Sequence, residues 1–494
     1  SSSIDSFNDK SFSKNLKLSN CSSFSIFSFV PKVKLSTPKT SSPLISKFSA
    51  KEEPIKPATP VMRLIFLFVI ISNFILKICK ARYYYNFMNQ CVIIAGGQGR
   101  RMNNVLKDTP KLLMEIADKK LLDYQMEIIK KNNIVNVHFC LGLYHQQIIE
   151  YLEKYYCEFN FSYSIEEKPL GTYGALINAH DHLQENFMVM YGDILTSINA
   201  NNYFEKFKKS KADILLVSRY TDHPSDSDII LEENNKVVGI KKGNLLSDNY
   251  MPIGNTGIMF INKKIIEKTI DAFPADITKD YLIPNIKRYK IIHELSIDFI
   301  KDVGTPERLA KVENIIEKIY DYRIIFIDRD DTLIENLGDS NNWQNLTFIN
   351  GAIDFIKFAQ KKLYKFVLIT NQPGISKNFF SEDDLYRTHS VLQQNLIRNK
   401  CSPLVSIHYC PHHPEKGHKN EIEELKINCK CRKPKIGLYD EFIKKFNPDL
   451  KDYFYIGNSE SDLEFGNNIK AKTFIINNKY IKESTTFEKI KNYL

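Results

Sequence analysis

Ile324-Ile325-Phe326-Ile327-Asp328-Arg329-Asp330-Asp331-Thr332 is an apolar run that ends abruptly in an acidic cluster. A continuous apolar stretch of this length reads as a strand buried on both faces, the kind found inside a parallel sheet. Asp328 and Asp330 then stand at the C-terminal end of that strand, where open α/β sheets gather their ligand-binding groups. Roughly 230 residues upstream a second apolar run, Cys91-Val92-Ile93-Ile94-Ala95, leads into Gly96-Gly97-Gln98-Gly99-Arg100-Arg101-Met102, and Pro110-Lys111 follows. Glycines at 96, 97 and 99 let backbone N–H groups approach an anion closely. Arg101 and Lys111 are cations suited to neutralising the charge on a departing pyrophosphate.

Working outward from these two anchors, short apolar strands alternate with helical stretches. Strands are expected at Cys91–Ala95, Val135–Leu141, Phe187–Tyr191 and Ile214–Val217, and again at Ile324–Ile327, Phe366–Thr370 and Tyr453–Gly457. This is the βαβ rhythm of parallel sheets, started twice. A chain of 494 residues suits two or three domains. The expected division is a nucleotide-handling domain over 88–318 and a second α/β domain over 319–494. Nothing repeats internally, because the two halves carry different motifs.

Residues 1–60 are rich in Ser and Lys and lack periodicity, which predicts disorder. Their scarcity of acids resembles a transit peptide, but they contain no Arg. Within 61–87 lies the apolar stretch 64–76, short against the ~20 residues of a membrane span. Lys77, Lys80 and Arg82 follow it and would hold the downstream chain on the cytoplasmic side of a bilayer. Three readings stand side by side: an upstream extension before Met88, a membrane anchor and a targeting peptide. A membrane partner is expected only under the second.

The net charge of +10 is mild for this length and spread along the chain. It favours anionic small molecules over nucleic acid. Nine cysteines are scattered except for one group, which reads as a metal site in a reducing cytoplasm rather than a disulfide frame. That group is Cys410-Pro411-His412 and Cys429-Lys430-Cys431. Three sulfurs and one imidazole in two short clips suit a tetrahedral structural Zn²⁺.

The glycine loop with Arg101 and Pro110-Lys111 resembles the sugar-phosphate nucleotidyltransferase family, over roughly residues 90–315. Leu170-Gly171-Thr172-Tyr173-Gly174-Ala175 is similar to that family's base-binding loop. The resemblance therefore implies that Ala95, Gly96, Gly97, Gly99, Gly171, Thr172 and Gly174 bind nucleotide. It implies that Asp193, in Tyr191-Gly192-Asp193, and Asp302, in Asp302-Val303-Gly304-Thr305, hold Mg²⁺. Asn255 and Gly257 match a sugar-binding loop. Lys242 matches the Lys of a Glu-Lys pair on the sugar phosphate, with Lys241 in place of the Glu. The implied reaction is in-line: a sugar 1-phosphate oxygen attacks the α-phosphorus of a nucleoside triphosphate, helped mainly by positioning and charge neutralisation.

Asp328-x-Asp330-x-Thr332 resembles the first motif of the haloacid dehalogenase superfamily, and the resemblance spans about 323–490. It implies that Asp328 attacks phosphorus while Asp330 protonates the leaving oxygen and later activates water. Thr370-Asn371 matches the second motif, which binds the phosphoryl group, and Lys433 in Cys431-Arg432-Lys433-Pro434 the third. Gly457-Asn458-Ser459-Glu460-Ser461-Asp462 occupies the fourth. Mg²⁺ would be held by Asp328, Asp330, Asn458 and Asp462. Two departures stand out. Asn458 replaces an Asp that binds the metal, which weakens metal binding unless Asp462 compensates. Asp331 replaces a Gly.

The implied fold is α/β in two domains: a Rossmann-like, GT-A-like nucleotidyltransferase and a haloacid-dehalogenase-like Rossmannoid fold with a small zinc loop. A zinc loop just before Arg-Lys-Pro is similar to that of heptose bisphosphate and histidinol phosphatases, which implies that Arg432 contacts substrate. Histidinol phosphate has no reason to share a chain with a sugar nucleotidyltransferase, whereas a heptose does, since its bisphosphate must lose one phosphate before the other is activated. The implied function is a heptose 7-phosphatase with a heptose 1-phosphate guanylyltransferase. The alternative is another sugar nucleotidyltransferase, such as one for mannose 1-phosphate, joined to a weak or non-catalytic sugar-phosphate-binding domain. The base, the anomer and the oligomeric state stay open.

Overall fold

The computed structural model describes residues 88–97, 109–243, 250–267, 272–338, 341–482 and 484–494. The leader, the apolar stretch at 64–76, Gly99 and Arg101 therefore lie outside the described residues. Met88–Glu150 and Phe159–Leu494 form one compact unit, and both sheets discussed below are built in it. Among the described residues no helix is long and apolar enough to cross a membrane.

The first sheet has nine strands: β1 Gln90–Ala95, β2 Asn136–Leu141, β3 Asn160–Ile165, β4 Asn186–Tyr191, β5 Ile214–Tyr220, β6 Asp228–Glu233, β7 Lys236–Lys242, β8 Ile253–Asn262 and β9 Ile291–Leu295. Their order is β3-β2-β1-β4-β8-β5-β9-β7-β6. The half around β1 is parallel, as the βαβ rhythm predicts: β1 pairs in parallel with β2 and β4. Beyond β4 the sheet becomes mixed, because β8 runs antiparallel to both β4 and β5. The parallel pairing expected from the βαβ rhythm does not extend to that strand. Alternation in the sequence reports that strands and helices follow one another, and direction is decided by where each strand docks. A separate two-stranded ribbon pairs Ile194–Thr196 with Ile300–Asp302, and Asp302 lies opposite Ile194.

The second sheet is parallel throughout, with β10 Tyr322–Ile327, β11 Lys365–Asn371, β12 Ser406–Cys410, β13 Leu450–Gly457 and β14 Lys472–Ile475 in the order β12-β11-β10-β13-β14. Ile324, Ile325, Phe326 and Ile327 are fully buried, as a central strand covered on both faces requires. Each such side chain contributes about 1.5–3 kcal/mol by leaving water. Ile325 and Ile327 face one apolar cluster, and Ile324 and Phe326 face the other. This two-sided burial anchors the strand rigidly and leaves Asp328 at its end.

Candidate functional site

In the second lobe the ends of β10, β11 and β13 converge on an open pocket of about 330 Å³. Asp328, Asp330, Thr370, Asn371, Lys433, Asn458 and Asp462 all line it, although the outermost two are 134 positions apart (328 to 462). Asp328 is fixed at the backbone by its N–H, which donates to Ile456 O at 2.9 Å. Lys433 is seated by a reciprocal pair: its N–H donates to Asn371 Oδ1 at 3.0 Å, and Asn371 Nδ2 donates to Lys433 O at 3.2 Å. The Lys433 ammonium then reaches Asp328 Oδ1 and Asp462 Oδ1, each at 2.7 Å, and donates to Ile369 O and Tyr455 Oη.

One buried ammonium faces two carboxylates, and they share it unequally. Burial opposes the charge on Asp462, but Lys433, Ser459 and Tyr455 outweigh it and hold the carboxyl at about 2. Burial pushes Asp328 up to about 6, with Lys433 only partly offsetting it. The pocket lining gathers four carboxylates, of Asp328, Asp330, Asp331 and Asp462, against two cations, Arg329 and Lys433. Two carboxylates and an amide oxygen, from Asp328, Asp330 and Asn458, are hard donors of the kind Mg²⁺ prefers.

Asp462 is not a spare ligand. Its Oδ1 accepts from Lys433 and Tyr455, and its Oδ2 accepts from the N–H groups of Asn458 and Ser459 and from Ser459 Oγ. These bonds fill the roughly four lone-pair positions of a carboxylate. Asp462 thereby closes the capping box of the helix Glu460–Asn468 with Ser459 and steadies Lys433. Arg432 Nη1 donates to His412 O at 3.4 Å, back on the cysteine loop.

Two residues that the motifs did not single out hold Asp330. Arg329 Nε and Nη2 grip its two oxygens at 3.0 Å each, and Gln372 Nε2 donates to Oδ2 at 2.8 Å. Gln372 also accepts from Arg329 Nη2 at 2.9 Å, closing a ring of three side chains. Position alone, just after Thr370-Asn371, was the available signal for Gln372. Asp331 adopts a left-handed φ of +53°, which explains why a glycine suits this place. Asp tolerates it better than most residues, and here its carboxylate accepts from Asn336 N and Nδ2 at 3.3 and 3.2 Å.

The four predicted metal-binding side chains of the loop do meet. The ligand atoms of Cys410, His412, Cys429 and Cys431 all lie within 4.8 Å of one another. Sulfur–sulfur separations of 3.2, 3.3 and 3.5 Å approach the edge of about 3.8 Å expected for a tetrahedron with Zn–S bonds near 2.3 Å.

In the first lobe, Ala95 ends β1 and Gly96 follows it. A methyl group on Gly96 would come within 2.7 Å of Glu166 Oε1, so the carboxylate lies directly against this glycine. Glu166 was not among the expected residues. It lies just past β3 and accepts from Leu170 N at 3.0 Å through Oε2, which leaves Oε1 without a partner among the described residues. Burial raises its pKa, opposed by the Leu170 N–H. Glu166 thus stands between the glycine loop and Leu170–Ala175.

Gly171 opens helix α1 (Gly171–Asn178) at φ +79°, and a Cβ there would collide with Ala275 O at 2.4 Å. Gly174 packs in the same helix against Leu170 and Phe273. The Thr172 hydroxyl donates to Asp276 Oδ2 at 3.2 Å and accepts from Ile277 N at 2.8 Å, so it braces the loop. Lys111 Nζ lies 2.9 Å from Asp193 Oδ2. The short ribbon brings Asp302 beside Asp193 across 109 positions (193 to 302), and Val303 N donates to Asp193 O at 2.9 Å. The Asp302 carboxylate is engaged by Arg308, from helix α2 (Pro306–Glu313), which also reaches Asp226. Asn255 and Gly257 lie on β8, where Gly257 N donates to Asn255 Oδ1 at 3.3 Å. Lys242 ends β7, exposed and opposite Asp228.

Comparison with known proteins matches the two lobes separately. A nucleotidyl transferase family model matches residues 90–238, and a polynucleotide kinase 3 phosphatase model matches residues 323–478. The D-glycero-beta-D-manno-heptose-1,7-bisphosphate 7-phosphatase of Haemophilus influenzae is 36% identical over 155 residues, which is 31% of this chain and 80% of that protein. The D-glycero-alpha-D-manno-heptose 1-phosphate guanylyltransferase of Aneurinibacillus thermoaerophilus is 26% identical over 229 residues, 46% of this chain and 98% of that protein. Its counterpart in Campylobacter jejuni is 28% identical over 226 residues, 44% of this chain and 96% of that protein. Through its C-terminal lobe the chain belongs to the D-glycero-D-manno-heptose-1,7-bisphosphate 7-phosphatase family, and it joins to that lobe a nucleotidyltransferase lobe whose relatives include heptose 1-phosphate guanylyltransferases.

Proposed function

We propose that this chain is a two-site enzyme. The second lobe removes the 7-phosphate of D-glycero-D-manno-heptose 1,7-bisphosphate, and the first transfers GMP from GTP to the heptose 1-phosphate, giving GDP-heptose and pyrophosphate. The observation that carries the phosphatase half is the pocket in which Asp328, buried beside Lys433, faces the clamped Asp330.

There, an Asp328 oxygen attacks the 7-phosphorus and the bond to the C7 oxygen breaks. Asp330 delivers its proton to that oxygen. Asp330 then takes a proton from water, which attacks the phosphorus, releases inorganic phosphate and frees Asp328. Lys433 lies beside Asp328 to screen its charge from the incoming phosphate, and Thr370 and Asn371 hold the phosphoryl oxygens. Asp328, Asp330 and Asn458 would hold Mg²⁺, which supplies charge neutralisation at the transferring group. Cys410, His412, Cys429 and Cys431 would hold Zn²⁺ as a structural clip.

In the first lobe Lys111 neutralises departing pyrophosphate, and Asp193 with Asp302 would hold Mg²⁺. Arg101 and Gly99 belong to the same loop by sequence. Glu166 supports guanine: a carboxylate is an acceptor only, and guanine alone presents two adjacent donors, N1–H and the N2 amino group, on one edge. Uracil and thymine would set carbonyl oxygens against it. Phosphate removal at C7 leaves C1 untouched, so the anomer that the transferase takes must already be present in the bisphosphate.

The test is a pyrophosphate-release screen that crosses the four common nucleoside triphosphates with a panel of sugar 1-phosphates, beside phosphate release from the heptose bisphosphate. GTP with D-glycero-α-D-manno-heptose 1-phosphate should be fastest. Faster turnover of glucose 1-phosphate with dTTP or UTP would overturn the assignment.

A further inference from the structure

Helix α3 (Glu382–Arg398) of the phosphatase lobe has a buried face made of polar residues. Thr388, Ser390, Gln393 and Gln394 are all fully buried. The same helix also buries an apolar stripe of Leu385, Leu392 and Leu396, so these polar residues are an addition that packing alone does not require. Gln393 is used within its own lobe, exchanging bonds with the Leu404 backbone at 2.9 and 2.8 Å. Ser390 and Gln394 reach out of it. Ser390 Oγ donates to Tyr250 O at 2.7 Å, and Gln394 Nε2 donates to the same carbonyl at 3.1 Å. One turn earlier, Met251 N donates to Tyr386 Oη at 3.4 Å, and the Tyr386 ring packs against the apolar core of the first sheet.

Tyr250 and Met251 lead directly into β8, the strand of Asn255 and Gly257. The Tyr250 ring also lies 5.8 Å from Lys241 Nζ, next to Lys242 at the end of β7. The chain between β7 and β8 is thus tied down from the other lobe at the point where it returns to the sheet. Three more hydrogen bonds keep the lobes in register. Asn202 Nδ2 and Lys206 Nζ both donate to Lys445 O at 3.2 and 3.3 Å, at the end of helix α4 (Gly437–Phe446), and Lys365 Nζ donates to Ile297 O at 2.5 Å.

We infer that helix α3 of the phosphatase lobe positions the sugar-phosphate side of the transferase site, with Ser390 and Gln394 as the positioning residues and the Tyr250 carbonyl as their anchor. This rests on the reading of Asn255, Gly257 and Lys242 as the acceptor subsite. Neither Ser390 nor Gln394 lines the phosphatase pocket, so the contact serves the other lobe. The triphosphate side, built on β1, the glycine loop and helix α1, has no such tie to α3 among the described residues.

The test uses the full-length chain with Ser390→Ala and Gln394→Met together. Initial rates of pyrophosphate release are measured with GTP saturating and D-glycero-α-D-manno-heptose 1-phosphate varied, and then the reverse. Loss of two hydrogen bonds to one carbonyl should raise KM for the sugar phosphate by about fivefold or more. KM for GTP and phosphate release from the bisphosphate should stay within twofold of wild type. Hydrogen exchange over residues 250–257 should speed up in the variant, and this is read whether or not the chain turns over. Unchanged sugar-phosphate KM overturns the inference, and so does an equal rise in both KM values, which would mean general loosening. If wild type releases no pyrophosphate from any sugar phosphate, the functional reading has failed on its own. Unchanged exchange at 250–257 would then overturn the positioning contact separately.

Discussion

The Lys433 ammonium lies 2.7 Å from Asp328 Oδ1 and is shared with Asp462 at the same distance on its other side. Both ends of each pair are buried, with Lys433 at 2% side-chain exposure. Removing the cation leaves two carboxylates together without a counter-charge. Lys433→Met should therefore lower phosphate release by at least about a hundredfold and destabilise the second lobe by about 3–5 kcal/mol. Phosphate release and thermal unfolding check it. Near-normal turnover would remove Lys433 from the site.

Asn458 lines the pocket with Asp328 and lacks a charge where the resembled fourth motif has an Asp, and Asp462 already accepts from Lys433, Tyr455 and Ser459. Asn458→Asp should lower the Mg²⁺ concentration needed for half-maximal phosphate release by about tenfold, because a full charge returns to the oxygen shell. A magnesium titration of both proteins reads the shift. No change would mean that Asn458 does not touch the metal.

In the first lobe, Lys111 holds Asp193 at 2.9 Å. Asp193→Asn and Lys111→Ala should each lower pyrophosphate release by about 10²-fold or more, since both act on charge that grows in the transition state. Phosphate release from the heptose bisphosphate should be untouched in both variants. In the mirror experiment, Asp328→Asn should stop phosphate release and leave guanylyl transfer to supplied heptose 1-phosphate unchanged.

One Zn²⁺ per chain is expected from the cluster of Cys410, His412, Cys429 and Cys431. Cys429→Ser should lose it and slow the phosphatase, because Arg432 N–H, next to Lys433, donates to Cys429 Sγ at 3.3 Å. Elemental analysis of both proteins decides this. A metal-free wild type with full phosphatase activity would exclude a structural zinc.

His138 supplies a pH dependence of stability. It is buried on β2 between the hydroxyls of Ser162 and Ser164, at 2.8 and 3.1 Å, and stacks on His182. Burial, helped by repulsion from His182, pushes its pKa from 6.5 down to about 4. Between those values the unfolded chain binds a proton that the folded chain refuses, so stability falls as pH drops from 6.5 toward 4. The loss from this group is at most about 3 kcal/mol. His138→Gln should flatten that part of the profile in denaturant titrations, and an unchanged slope would assign it to other groups.

Much of the chemistry is legible in the amino-acid sequence, because it is local. A strand ending in Asp328-x-Asp330, a glycine loop after Cys91–Ala95 and two Cys/His clips each need a few consecutive residues on one turn, so their spacing survives in the linear chain. The buried apolar runs also place the strands within a few residues. What depends on long-range docking is decided by the tertiary structure alone. Strand direction at β8, the seat of Asp302 beside Asp193, the contact of Glu166 with Gly96 and the hold of Gln372 on Asp330 join residues between 42 and 109 positions apart with no common spacing. Asp462 shows the same limit: sequence offers a carboxylate near a metal, and only packing reveals that its lone pairs are already occupied. The tie from Ser390 to Tyr250, across 140 positions, depends on two sheets docking, which no local pattern encodes.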